Sequence, residues 1–253
     1  METNITKHPA FLNCNGELIA QLIGGSTLYG LNNEFSDTDY RGIFIARDKK
    51  YLAGLENIES IVQTGDIDST YYELSRYVAL LRKSNTQILE ILFAPDSAFT
   101  YTTDLFKTLR THKFNLIDSN ILKNSLKGYV FSEIRLATGQ RSGQLGSKRK
   151  DAVEKYGFSP KNFVQILRLC KVGIIFFNSG EYMVKVADYD QTYHNFLMDI
   201  KNAPEDFTCE QLTNIVDVMF NKLETAMEDS KISYKFNMDL ASDIILNSRK
   251  SYA

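Results

Sequence analysis

The chain is poor in the residues that usually announce a site. Its 253 residues include three cysteines, three histidines and four prolines. Cys14, Cys170 and Cys209 are far apart and odd in number, which gives no disulfide framework and no zinc spacing; reduced thiols in a cytoplasmic protein are expected. His8, His112 and His194 stand alone, without a second ligand at a usable spacing. No apolar run is long enough to span a bilayer, and the N-terminal METNITKHPA has no signal-peptide core, so a soluble, intracellular protein away from membranes is expected. No internal repeat or low-complexity segment is found, and nothing indicates an oligomeric state. Net charge is also nearly absent, at −2.

That average hides an asymmetry. Between Asn120 and Ile175 there are eleven Lys or Arg against three Asp or Glu, +8 in all, which leaves −10 for the rest. A basic middle in an acidic protein suggests a local site for phosphates. The length and the 43% hydrophobic content suffice for two cores.

The pattern changes along the chain. GELIAQLIGGS is expected to be a buried strand ending at Gly24-Gly25, with Ser26 where the chain turns into a helix start. YRGIFIA and ESIVQTGDIDST are the next strands. Leu74, Tyr77, Val78 and Leu81 recur at helical spacing within 71–81, and NTQILEILFAP is a short helix stopped by Pro95. Beyond about residue 115 the signals are helical. Ser159-Pro160 opens a helix that Asn178-Ser179-Gly180 closes, Thr208 with Gln211 forms a capping box, and a last helix runs from about Met238 to Ser248. GEYMVKV fits a hairpin arm. The expected fold is α+β: a small mixed sheet with packed helices at 1–115, then a mainly helical domain at 116–253, with the site between them.

The chemistry centres on IGGSTLYGLNNEFSDTDYRGIF. A glycine pair and serine at a strand-to-helix turn offer backbone N–H groups and a hydroxyl to a phosphate. Eleven residues on, Asp37 and Asp39 alternate along a predicted strand and so share a face, where no cation is expected beside them. Two bare carboxylates at that separation are either solvated or held by metal. GDIDST supplies Asp66 and Asp68; if its strand lies beside the first, one of them completes a set of three. Hard oxygen ligands select Mg²⁺ or Mn²⁺, and two such ions suit in-line phosphoryl or nucleotidyl transfer. In the basic middle, Lys161 and Arg168 fall on one helix face with Gln165, while RSGQLGSKRK adds Arg141, Lys148, Arg149 and Lys150 as possible phosphate or acceptor contacts.

The order of glycine-serine, Asp-x-Asp and a later carboxylate resembles the DNA polymerase β-type nucleotidyltransferase superfamily. GSTLYGLNNEFSDTDYRGIF, NTQILEILFAP and GSKRKDAVEKYGFSPKNFVQILRLCKVGIIFFNSGEYMV are together similar to the RNA-repair-pathway DNA polymerase beta family nucleotidyltransferases. The resemblance implies Ser26, with Gly24 and Gly25, on a nucleoside triphosphate, and Asp37 and Asp39 on two divalent ions. Asp68 is preferred to Asp66 as third ligand and as base for the acceptor hydroxyl. It implies transfer of a nucleoside monophosphate, with RNA as the favoured acceptor. The family's helix carries histidine where this chain has Gln165. A protein or small-molecule acceptor, or a non-catalytic nucleotide- or RNA-binding protein, are the other readings.

Overall fold

The computed structural model describes residues 4–34, 36–65, 67–140 and 147–250, with the side chains of residues 4 and 147–149 left undescribed. The chain divides into two compact units, residues 1–119 with 234–253, and residues 120–233.

The first unit is built on a five-stranded mixed sheet in the order β3-β4-β2-β1-β5. Its strands are β1 (Gly16–Ile23), β2 (Asp39–Ala46), β3 (Ser60–Gln63), β4 (Asp68–Glu73) and β5 (Phe99–Thr102). β1 pairs antiparallel with β2 and β5, β3 antiparallel with β4, and β2 runs parallel to β4. The central strand β2 is buried from Gly42 to Ala46 without alternation, as expected where both faces of a strand are covered. Gly42 is required there by contact: an added Cβ would strike the Tyr71 ring and the carbonyl of Ala20. Tyr71 crosses this gap and donates to Gln21 Oε1 at 2.8 Å. On one side Ile5, Phe11, Cys14, Phe44, Ala46, Ile61 and Tyr71 form an apolar cluster.

The helices of this unit are α1 (Pro9–Asn13), α2 (Gly25–Leu28), α3 (Lys49–Leu52), α4 (Leu74–Arg82), α5 (Thr86–Phe93) and α6 (Asp104–Thr111). α5 starts at Asn85, whose side chain accepts from the backbone of Gln87 and Ile88, and ends before Pro95. All of its residues but Gln87 are buried, including Glu90.

Two sequence expectations change here. The segment 59–70 is a hairpin, β3 and β4, rather than one strand, turning around Gly65 at φ +152°. Tyr71 opens no helix: β4 continues to Glu73, which caps α4 by accepting from the Ser75 backbone. Alternation and helical periodicity overlap at this junction, and sheet pairing decides where one gives way.

The second unit holds α7 (Ser119–Ala137, from its second residue), α8 (Ser147–Tyr156), α9 (Pro160–Ser179), α10 (Gln191–Asn202) and α11 (Cys209–Asp229). α9 lies at its centre, packed on α10 and α11. It ends at Gly180 in the left-handed region, φ 81°, and α11 begins with the expected Thr208–Gln211 capping box. Gly173 admits the Leu223 and Leu126 side chains where a Cβ would stand. GEYMVKV pairs in no strand among the described residues. Tyr182 and Val184, in a stretch without regular structure, and Val186, at the start of a 3-10 turn, are buried alternately, which explains the strand-like pattern.

The last helix, α12 (Met238–Lys250), belongs with the first unit and not with the helical one. Arg249 donates to Ser75 Oγ at 2.8 Å, Arg47 reaches the Ser248 carbonyl, and Tyr234 stacks on Phe114 at 4.9 Å. Sequence order alone groups it with 116–253; a helix of this amphipathic kind carries no mark of which sheet or bundle it will cover. No helix among the described residues is long and apolar enough to cross a membrane.

Candidate active site

β1 leads into Gly24, whose N–H donates to the Asp39 carbonyl at 2.8 Å, and α2 begins at once with Gly25 and Ser26. Gly25 has φ +59°, and a Cβ there would fall on the Asp39 carboxylate, with Cγ only 2.9 Å away. Backbone conformation and the close approach of a side chain therefore both demand glycine. The turn and the carboxylate are in van der Waals contact, so the glycine-serine motif and Asp39 form one piece of structure.

Asp39 is the first residue of β2 and Asp68 the first of β4, and the two are directly paired across the parallel strands. Neighbouring strands run about 5 Å apart, and paired residues point to one face. This register selects Asp68 as the neighbour of Asp39. Asp66 lies outside the described residues. Asp68 is exposed, and its Oδ1 accepts a long hydrogen bond, 3.3 Å, from the Gly65 N–H.

Asp37 does not share the strand. It lies in the loop before β2 and is exposed. Among the described residues no group of three His, Cys, Asp or Glu is gathered so as to hold a metal ion. The donor set does suit a hard divalent cation in part: two carboxylates stand at adjacent strand ends, and magnesium is commonly held by one or two carboxylates plus substrate phosphates.

The expectation that no cation stands beside the aspartates is also corrected. Arg41, two residues beyond Asp39 on β2, lies with its stem against Gly24, whose added Cβ would be 3.1 Å from Arg41 Cγ. Its side chain is 19% exposed and faces the buried Glu90 of α5, Nη1 to Oε2 at 3.7 Å. Glu90 in turn accepts from the Tyr29 hydroxyl at 2.6 Å. Burial disfavours the charge on Arg41, but Tyr29, then Glu90, Tyr72 and Asp39 outweigh it and raise its pKa. Arg41, Glu90 and Tyr29 were not picked out as a group from the sequence. The signals were there: the period of two that pairs 37 with 39 also includes 41, and Glu90 is the one charge inside ILEILF.

The basic residues of the second unit are placed differently from the expected stripe. Lys161 is exposed on α9, whereas Arg168 is fully buried and donates from Nε to Gln165 Oε1 at 3.2 Å. α9 is covered on nearly every side, so residues seven apart on one stripe meet different surroundings at its two ends. Lys150 is exposed on α8 at 4.0 Å from Glu154. Lys148 and Arg149 belong to α8 with undescribed side chains, and Arg141 lies outside the described residues.

The first unit thus presents an α+β fold in which a glycine turn and the ends of two parallel strands bring carboxylates together. Residues 11–129 match the model of the RlaP family, the RNA repair pathway DNA polymerase beta family, which bears out the resemblance drawn from the motifs. Among solved structures, a nucleotidyltransferase-like protein from Exiguobacterium sibiricum 255-15 aligns over 98% of this chain and 79% of its own, at 9% identity and a TM-score of 0.32. No curated protein matches the chain.

Proposed function

We propose that this protein is a divalent-metal-dependent nucleotidyltransferase that moves a nucleoside monophosphate from an NTP to an acceptor hydroxyl and releases pyrophosphate. The observation that carries the reading is the lateral pairing of Asp39 with Asp68 where Asp39 touches Gly25. Backbone N–H groups at Gly24-Gly25 and the Ser26 hydroxyl would hold the triphosphate. Asp39 and Asp68, with Asp37 from the preceding loop, would hold Mg²⁺ or Mn²⁺, two ions in the full arrangement. Such ions would neutralise charge on the phosphates and favour the alkoxide of the acceptor. Asp68, exposed at the start of β4, would accept the proton of the acceptor hydroxyl as its oxygen bonds to the α-phosphorus. The bond from that phosphorus to the pyrophosphate oxygen breaks in the same displacement.

An RNA end is the acceptor we favour, on the strength of the family's name. Lys161 and Lys150, with Arg141, Lys148 and Arg149, are candidate contacts for its backbone. Arg168, enclosed in the helical core, does not join them. The test is incubation with each α-labelled NTP, with Mg²⁺ or with EDTA, in the presence of total RNA, total protein or small-molecule acceptors. Label entering RNA only with Mg²⁺ and released pyrophosphate is the expected result. Label in protein or a small molecule would keep the chemistry and change the acceptor. Nucleotide binding with no label transfer to any pool would overturn catalysis.

A further inference from the structure

A triphosphate brings several negative charges to a place where Asp39 and Asp68 already stand side by side. Without a cation close by, the carboxylates and the phosphates would repel one another. The sheet supplies one. Arg41 follows Asp39 by two residues on β2, and its Cγ, Cδ and Nε all lie against Gly24, within 3.3 Å of where a Cβ would be. Among the described residues it forms one ion pair, with Glu90 at 3.7 Å, and its buried Nη1 has no hydrogen-bond partner. That distance is well beyond the 2.7–2.9 Å of a charge-assisted hydrogen bond. Buried donors are normally satisfied, so an enclosed guanidinium this weakly engaged asks for an acceptor. Glu90 faces it from α5 and takes the Tyr29 hydroxyl at 2.6 Å, and Tyr29 caps the C-terminus of α2. The same three side chains therefore tie β2, α5 and the far end of the glycine turn together.

We propose that Arg41 is the protein cation that holds the triphosphate at this site, and that Glu90 and Tyr29 are positioning residues that set its guanidinium against the Gly24 turn. The inference rests on the nucleotidyl-transfer reading and adds a residue to it. Glycine at position 24 then has a purpose besides the turn: it leaves the guanidinium room to lie beside the backbone that faces the phosphates.

Calorimetric titration of the full chain with two probes separates a phosphate-holding role from mere support of the fold. The probes are tripolyphosphate in EDTA, and Mn²⁺ alone. Arg41→Gln is expected to weaken tripolyphosphate binding about 10- to 100-fold, the scale of losing hydrogen bonds to a charged group. Mn²⁺ binding should stay equal or tighten, because a positive charge beside Asp39 is gone. Opposite responses to the two probes support the proposal. A parallel loss of both would mean that Arg41 only supports the fold, and unchanged tripolyphosphate binding would mean that it holds no phosphate; either overturns it. Tyr29→Phe keeps the Arg41–Glu90 charge pair and removes one hydrogen bond, so it serves if Arg41→Gln does not fold. It should weaken tripolyphosphate several-fold with Mn²⁺ unaffected, and wild-type affinity for tripolyphosphate would overturn the assignment. A wild-type protein that binds neither probe sinks the nucleotidyl-transfer reading together with this one. A wild type that binds both while Arg41→Gln behaves the same sinks this one alone.

Discussion

Arg41 in the first unit and Arg168 in the second are both enclosed cations, yet they sit in opposite surroundings. Arg41 stands at the end of a sheet among charged and polar groups, Asp39, Glu90 and Tyr29, next to a glycine turn. Arg168 stands in the middle of a helix that is covered nearly all round, with Gln165 as a hydrogen-bond partner and Tyr189 close enough to feel its charge. In the sheet, residues distant in sequence are brought side by side by strand register, and polar groups collect where strands end. In the helix, spacing tells only which residues share a stripe. Whether the stripe meets water or another helix depends on neighbours that the local sequence does not name. The first arrangement makes a candidate site, the second a buried polar element of a core.

The largest effects should come from the sheet ends. Asp39→Asn and Asp68→Ala are each expected to lower nucleotidyl transfer by at least about 100-fold while the chain remains folded, the scale of removing one group that stabilises developing charge. Asp66→Ala should be much milder. Far-UV circular dichroism and label transfer together check this, and equal damage from Asp66→Ala would undo the significance of the Asp39–Asp68 pairing.

Arg168→Ala tests the other half of the contrast. Emptying a fully buried position of this volume should cost about 2–5 kcal/mol of stability, measured by urea unfolding. Lys161→Ala, on the exposed end of the same helix, should leave stability within the scatter of surface substitutions. If Lys161 touches an RNA backbone, its loss should weaken RNA binding at low salt and matter less as salt rises. A stable Arg168→Ala that has lost nucleotide affinity would return that residue to the site.

Two glycines sharpen the comparison further. Gly25 and Gly157 both adopt positive φ, +59° and +79°, but a Cβ at Gly25 collides with Asp39 whereas one at Gly157 meets nothing within 4 Å. Gly157→Ala should cost only the strain of a left-handed alanine, about 1–2 kcal/mol. Gly25→Ala must also displace the carboxylate, so stability and activity should both fall, activity by much more. Equal activity in the two variants would separate the glycine turn from the chemistry.

The smallest effect concerns acid stability of the helical unit. Asp190 caps α10 by accepting from Tyr193 N–H at 2.8 Å, and Lys171 Nζ lies 2.8 Å from its Oδ2. The hydrogen bond from Lys171, then that from the Tyr193 backbone, lowers its pKa below the ordinary 3.8. A depressed carboxylate contributes stability that is fully present above 3.8 and is lost as pH falls through the folded-state value. Asp190→Asn keeps a capping oxygen but loses the charge. It should flatten the acid limb of the stability profile and cost at most about 1 kcal/mol at neutral pH. An unchanged acid limb would show that Asp190 does not set it.

Much was determined by sequence alone. Gly24-Gly25-Ser26 follows a strand because a buried apolar run ends in residues that tolerate a tight turn. α5 stops before Pro95, α9 ends at Gly180, and the Thr208–Gln211 box opens α11, because caps and breakers act over a few residues and show locally. The α+β order and the resemblance carried by the motifs were legible for the same reason. Tertiary structure decided the rest. It moved Asp37 off the strand, paired Asp68 with Asp39 across β2 and β4, split 59–70 into a hairpin, brought α12 back to the first unit and buried Arg168. It also joined Arg41 to Glu90 and Tyr29, residues 49 and 12 positions away from it in the chain. Each of these outcomes depends on strand register or on which surface a helix covers, and both are set by the free energy of pairing and burying segments far apart in sequence.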